Sequence, residues 1–562
     1  MTNHRLKVIS RFLLLIGLLI TVRLFYWQVV KGPQLAILAD RQHQETIKLS
    51  AKRGEILDRS GYVLAGTQNL YQLSVYKPLL KISPVEIIEA LVPTIAGDDT
   101  QRELTREFLR TRFSLKSNWI SLKHYLTTGQ KSQIEALKIT GLNFDDEFTR
   151  TYPESSLSAS LLGFVGKDQN GADKGYFGLE GYFNRELQGR EGLTKMDKDA
   201  IGHPLLLGKF EKLDNLAGRD IGTTIDRRIQ HLAETILSEG LQKYEATSGG
   251  VIIMESKTGK IRAMANLPSY DPRNFSQYDQ SLYINTNVAV PFEPGSTFKV
   301  LIMASALNEG VIEPDTACDI CAGPVNIGKY SIKTWNEQYY PQSTMTDVIR
   351  HSDNTGMVFV ARKLGPEKLY EYLSKFGIGQ KTGTQLEEEV SGNLKVAGQI
   401  SEIDLATMSF GQGIALTPIQ LVSAVNVIAN RGFRVKPIIV DRLIEDNLTI
   451  ADLTSPPSSP LLSPETIEEI TRMMVASVEG GEAKWNKPKN IKIAGKTGTA
   501  QIPIEGHYDQ EKTIASFIGF FPADDPRFTM LVTLKEPKTS PWGSETAAPL
   551  WFKLATQLTL YL

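Results

Sequence analysis

The chain has 562 residues, with 62 Lys+Arg against 63 Asp+Glu and a formal net charge of -1. That length implies about two to four domains, and the balanced charge gives no electrostatic case for a nucleic-acid partner. With 41% hydrophobic residues, most of the chain is expected to fold into packed cores.

In chain order, the first expected element is a membrane helix. His4, Arg5, Lys7 and Arg11 precede the apolar block Phe12 to Val22, and apolar character resumes from Leu24 to Val30. Val8 to Val30 is long enough to span a bilayer, which takes about 20 residues. Arg23 interrupts it and has to snorkel or face a partner. No small-x-small cleavage site follows, and Tyr26, Trp27 and Lys31 have the character of interfacial anchors. A retained single helix is therefore expected over a cleaved signal peptide. Its basic end stays in the cytoplasm and residues after about 31 lie outside.

Residues 32–219 read as a first extracytoplasmic domain. The alternation in Tyr71-Gln72-Leu73-Ser74-Val75 predicts a strand, and helices are expected over Pro84 to Leu91 and Gln101 to Phe113. Asn215 to Gly222 reads as a linker. Beyond it Thr224-Ile225-Asp226 caps an amphipathic helix running to Leu241, which opens the larger domain, 220–562. There Gly250 to Met254 and Lys260 to Ala265 form a hairpin. Three late strands are expected, at Asn490 to Thr497, Thr513 to Phe521 and Phe528 to Leu534. Mostly helical segments lie between, including Met408 to Asn430. Strands from both ends can meet in one antiparallel sheet with helices on its faces, an α+β fold. The two cysteines, Cys318 and Cys321, fit a small disulfide loop or two idle thiols. No second Cys pair or nearby His pair completes a zinc site, and no metal is expected.

The chemistry centres on Glu293-Pro294-Gly295-Ser296-Thr297-Phe298-Lys299. Ser296 opens an apolar run that reads as a helix, which puts Ser296 and Lys299 one turn apart on one face. A serine hydroxyl needs a base within reach, and a lysine serves only when burial or a nearby cation leaves it neutral. Ser-x-x-Lys alone is weak evidence. Ser352-Asp353-Asn354 and Lys496-Thr497-Gly498-Thr499 complete the S-x-x-K, S-x-N, K-T-G trio of penicillin-binding proteins and class A β-lactamases. Each motif has a second copy in poor context. Ser74 and Lys77 fall in a strand-like segment, where i and i+3 point to opposite faces. Ser391-Gly392-Asn393 lies in an acidic loop. Lys257-Thr258-Gly259 is a hairpin tip, and Lys381-Thr382-Gly383-Thr384 follows Gly377-Ile378-Gly379 in a loop.

With the trio in order, the chain resembles class B penicillin-binding proteins along nearly its whole length. Arg53 to Gly61, Arg150-Thr151-Tyr152-Pro153 and Gly178-Leu179-Glu180 are similar to motifs of that family's pedestal. Phe410 to Pro418 and Gly495 to Gln501 are most similar to division-type and sporulation-type members. The resemblance implies an anchor (1–31), an elongated pedestal or dimerisation-like domain (32–219), and a transpeptidase domain (220–562) whose antiparallel five-stranded sheet packs between helical layers. It implies a peptidoglycan D,D-transpeptidase, with Ser296 as nucleophile, Lys299 as base, Ser352 as proton relay and Asn354 holding Lys299 and the substrate. It also implies that Lys496 keeps the site electropositive, while Thr497, Gly498 and Thr499 line the substrate edge. The oxyanion hole it implies is the N–H groups of Ser296 and Thr499. The implied partners are stem peptides ending in D-Ala-D-Ala, an amine acceptor, β-lactams, the membrane, a SEDS-type glycosyltransferase and other division proteins. No cofactor is implied. Arg53, Asp58, Arg59 and Glu180 read as a structural polar network rather than a second site. The competing functions are an elongation-type transpeptidase, a D,D-carboxypeptidase, a β-lactamase, and a non-catalytic β-lactam sensor or scaffold.

Overall fold

A computed structural model describes residues 2–197, 210–454, 456, 458–504 and 507–561. Helix α1 (Thr2–Phe25) continues through a π-helical turn, Tyr26–Val30. Over His4–Val30 it is long and apolar enough to cross a membrane, and none of it is buried in the protein.

Two compact units follow from the packing. One comprises residues 1–52, 69–148 and 189–218, and the other 53–68, 149–188 and 219–562. The first has its own core, in which Leu73, Val75, Ile87, Leu91, Leu109 and Ile120 cluster. The expected helices are present there as Pro84–Ile95, started by a Ser83–Glu86 capping box, and Arg102–Ser114. The 71–75 strand is part of a longer one, Val63–Tyr76.

The second unit is built on a sheet. Helix α2 (Arg227–Tyr244) is capped by Asp226, which accepts from the N–H groups of Arg228 and Ile229. The hairpin follows as β1 (Ser248–Glu255) and β2 (Ile261–Leu267), and helix α3 (Lys299–Asn308) comes next. Then come α4 (Met345–Arg350), α5 (Asn354–Leu364), α6 (Pro418–Ala429) and α7 (Pro464–Gly480). The chain closes with β3 (Ala494–Ile504), β4 (His507–Phe521), β5 (Phe528–Lys535) and α8 (Ala547–Leu558). The strands pair antiparallel in the order β2-β1-β5-β4-β3, so β3 is an edge. Alternate residues serve opposite cores, as a strand's period of two requires. Val251 and Ile253 of β1 join Phe517 of β4 and Trp551 of α8 on one face. Ile252 and Met254 join Ile518 and the whole apolar run of α3 on the other. The fold class is α+β, with helices on both faces, as expected.

Four boundaries differ from the expectation. Asp220–Thr223, read as the linker's end, is a strand, parallel to Ile56–Leu57 and antiparallel to Val440–Ile444. Its short length and Gly222 hide it. Met408–Asn430 is two helices, Glu402–Ser409 and α6, parted by a loop in which Gly411 and Gly413 take φ of +78° and +68°. The first of the three late strands, expected from Asn490 to Thr497, starts at Ala494 and runs past the Lys-Thr-Gly motif rather than ending in it. Ile493 is apolar because it packs in the core beside α8, not because it joins the ladder. Ser296 lies inside a 3-10 turn, Gly295–Phe298, and the α-helix itself begins at Lys299. Cys318 and Cys321 form a disulfide, with Cα atoms 5.6 Å apart.

The motifs at 53, 150 and 178 meet in a buried ion network within the second unit. Glu180, wholly buried, takes Arg53 Nε at 2.7 Å on one oxygen and Arg150 Nε at 2.6 Å on the other. Burial pushes this carboxyl up, but the two guanidiniums outweigh it and hold it below its ordinary value. Removing Glu180 leaves two buried, uncompensated cations. Glu180→Ala is expected to destabilise the second unit by about 3–5 kcal/mol, read as a lowered melting temperature. A melting temperature equal to wild type would contradict this role.

Candidate active site

The structure brings the three motifs together. Lys299 is 0% exposed at the start of α3, a helix apolar all round and therefore buried all round. Its Nζ donates to the Ser352 carbonyl at 2.7 Å, to Asn354 Oδ1 at 2.7 Å and to Ser352 Oγ at 3.3 Å. Ser352 is held in the left-handed region, at φ +57°, between α4 and α5. Such a conformation persists in a non-glycine residue only where its surroundings over-determine it. Asp353 supplies part of that constraint by capping α5, with Oδ1 accepting from the N–H groups of Thr355 and Gly356. Asn354 Nδ2 donates to the Lys333 carbonyl, which leaves its oxygen turned to Lys299.

Ser296 sits one turn before Lys299, half-buried, and its hydroxyl makes no hydrogen bond among the described residues. Edge strand β3 lies against its turn. A Cβ on Gly498 would stand 2.7 Å from Thr297 Cγ2 and 3.1 Å from the Pro294 carbonyl, so only glycine fits there. Lys496 Nζ, 1% exposed, donates to Thr497 Oγ1 at 3.1 Å. Thr499 Oγ1 accepts from the Gly543 N–H at 3.0 Å. Because β3 is the last strand of its sheet, its outer backbone edge is open to an extended peptide. Glu293 makes the turn that precedes the serine, accepting from the Gly413 N–H at 2.9 Å.

Burial lowers the Lys299 amine first, and the charge on Lys496 lowers it further. Asp353 and Glu482 oppose both, leaving it at about 7. Lys496 is also lowered by burial, with Glu482 opposing.

The duplicate motifs share no hydrogen bond with this site among the described residues. Lys257-Thr258-Gly259 is the β1–β2 turn. Lys77 donates to the Leu115 carbonyl, while Ser74 faces Asn143. Sequence reasoning missed three groups at the site. Glu482 accepts from Thr497 Oγ1 at 2.9 Å. Trp335 and Trp542 meet edge-on, with ring centroids 5.0 Å apart. Trp335 lies two residues after Lys333 and Trp542 adjoins Gly543, so the pair joins the Asn354 side of the site to the Thr499 side. No motif marks any of the three.

Residues 249–556 match the family described as the penicillin-binding protein transpeptidase domain, and residues 48–223 match the penicillin-binding protein dimerisation domain. The chain belongs to the penicillin-binding transpeptidases. Stage V sporulation protein D of Bacillus subtilis is 31% identical over 555 residues, covering 98% of this chain and 84% of that protein. Peptidoglycan D,D-transpeptidase FtsI of Escherichia coli is 29% identical over 567 residues, covering 98% and 91%. The fold matches penicillin binding protein 2X of Streptococcus thermophilus with a TM-score of 0.80 at 24% identity, over 92% of this chain and 80% of that one. This penicillin-binding transpeptidase carries peptidoglycan D,D-transpeptidase activity, and its N-terminal apolar helix is its candidate membrane anchor.

Proposed function

We propose that Ser296 is the acylated nucleophile of a septal-type transpeptidase. The observation that carries this reading is the buried Lys299, lowered to about 7 and bonded to Ser352 and Asn354, one helical turn from a reachable serine. Lys299 takes the Ser296 proton as Oγ attacks the carbonyl between two D-alanines of a stem peptide. The C–N bond then breaks as Lys299 returns that proton through the Ser352 hydroxyl to the nitrogen of the departing D-alanine, and the peptide remains as an ester on Ser296. An amine of a second stem peptide attacks that ester, and the proton it gives up restores the Ser296 hydroxyl. Asn354 holds Lys299 and the substrate amide, and Lys496 keeps the site positive. Thr497, Gly498 and Thr499 carry the donor along the open edge of β3. The N–H groups of Ser296 and Thr499 serve as the oxyanion hole. A β-lactam enters the same path and stays on Ser296.

The anchor (1–31) leaves the basic N-terminus in the cytoplasm and places the pedestal (32–219) and the transpeptidase domain (220–562) outside. A SEDS-type glycosyltransferase and other division proteins are the proposed partners. The relatives named stage V sporulation protein D and peptidoglycan D,D-transpeptidase FtsI support a septal assignment over an elongation type. The test is to supply a donor ending in D-Ala-D-Ala with an amine acceptor. Released D-alanine and a donor–acceptor adduct are expected. D-alanine with only the hydrolysed donor would make the protein a carboxypeptidase, and no D-alanine would overturn the reading. Depletion in the source cells is expected to give filaments. Rounded cells would assign it to elongation instead.

A further inference from the structure

We infer that Glu482 is a positioning residue of the acyl-transfer site, whose carboxylate fixes the Thr497 hydroxyl and, through it, the Lys496 ammonium. The inference rests on the acyl-transfer reading above and adds a residue that none of the three motifs contains.

The geometry is a directed chain. Thr497 Oγ1 has one proton, and it is given to Glu482 Oε2 at 2.9 Å. An ionised carboxylate only accepts, so the hydroxyl must turn a lone pair outward. Lys496 Nζ donates into that lone pair at 3.1 Å and to the Thr497 carbonyl at 3.3 Å. Glu482 and Lys496 make no direct ion pair, so the anion reaches the lysine through the threonine. Lys496 is 1% exposed and needs such support to stay charged.

The position of Glu482 is built rather than incidental. Helix α7 ends at Gly480, and the chain leaves it against the end of α4. A Cβ on Gly481 would stand 2.3 Å from the Ser477 carbonyl and 2.8 Å from the Arg350 carbonyl, so no larger residue fits the path. Arg350 lies two residues before Ser352. One tight crossing therefore sets Glu482 against β3 and braces the segment that carries Ser352.

Four charged groups act on one another here: Lys299, Lys496, Asp353 and Glu482. Asp353 spends one oxygen on the cap of α5. Glu482 is the carboxylate bonded to a hydroxyl of the third motif, and it raises both lysines against burial. Without its charge both amines lose their protons at lower pH. Acylation needs Lys299 neutral, so its acid limb moves down. It also needs Lys496 charged, so its alkaline limb moves down too.

The experiment measures the acylation rate of the full chain by a fluorescent penicillin between pH 5 and 10, for wild type, Glu482→Gln and Glu482→Asp. Gln keeps an oxygen that can accept from Thr497 but removes the charge, while Asp keeps the charge. Both limbs of Glu482→Gln are expected at lower pH, so its rate at pH 6, relative to its own maximum, rises about two- to five-fold. Glu482→Asp is expected to restore the limbs toward wild type. Limbs that superimpose on wild type in Glu482→Gln, with wild type acylated normally, overturn the inference alone. A wild type that is not acylated overturns the acyl-transfer reading and this inference with it.

Discussion

Replacing Ser296 by alanine should abolish covalent labelling by a fluorescent penicillin and leave the fold intact. The three motifs carry four other hydroxyls, on Thr297, Ser352, Thr497 and Thr499, and each is already engaged; Thr297 donates to the Pro294 carbonyl at 2.7 Å. Ser352 is 2% exposed, at the Lys299 ammonium, and Thr497 is tied to Glu482 and Lys496. Thr499 accepts from Gly543. Ser296 is half-buried and makes no hydrogen bond among the described residues, so its Oγ is the hydroxyl free to attack. For the same reason its loss removes no native bond, and the change in stability should stay under about 1 kcal/mol. The expected result is wild-type labelling on the peptide that contains Ser296, none in Ser296→Ala, and matching melting curves. Labelling that persists in Ser296→Ala would sink the assignment of the nucleophile. A variant that fails to fold would contradict the account of Ser296 as structurally unencumbered.

Which parts of the fold and of the candidate site are legible in the sequence follows from particular residues. Ser296 and Lys299 are three apart on one helical path, and such spacing survives in three dimensions whatever surrounds it. The tetrapeptide Lys-Thr-Gly-Thr shows the limit of that logic, because it occurs twice. The copy at Lys381 folds around the carboxylate of Glu389, which accepts from the N–H groups of Thr382, Gly383 and Thr384 at 2.6, 3.0 and 3.2 Å. The same backbone that can receive a carboxylate is there satisfied internally, so it has nothing to offer a ligand. The copy at Lys496 lies on an edge strand. Neither outcome can be read from four letters; the pairing partners decide it. Glu482, Trp335 and Trp542 were illegible for a related reason. Each reaches the site from a loop outside the three motifs, and its role is a contact rather than a local pattern. In the fold, the strand at Asp220–Thr223 and the start of β3 were misplaced where apolar character and ladder pairing part company. Ile493 is the clear case, buried by packing without being paired in the sheet.

The second large effect concerns Lys299. Acylation should rise with pH along a limb near 7, because the attacking hydroxyl must surrender its proton to a neutral amine and Lys299 is lowered to about 7. The same burial costs stability, and that cost also eases as pH rises. An unfolded lysine holds its proton up to about pH 10.4, whereas the folded one gives it up near 7. Between those values the unfolded chain binds more protons, so this group's contribution improves as pH rises from 7 toward 10. Below 7 the full penalty is present, on the order of 5 kcal/mol. Lys299→Met removes that penalty. It also deprives the Ser352 carbonyl and Asn354 Oδ1 of their donor, at about 1–3 kcal/mol each. The two effects nearly cancel, so the variant is expected to melt close to wild type at neutral pH. Its acylation should fall by about a thousand-fold, because the base that accepts the Ser296 proton is gone, and with it the donor to Ser352. A structural lysine would show the reverse, with a large loss of stability and proportionate loss of activity. The wild-type profile makes the same distinction without mutation. A limb that rises near 7 identifies the buried amine as the base, and a rate independent of pH from 6 to 8 would rule Lys299 out.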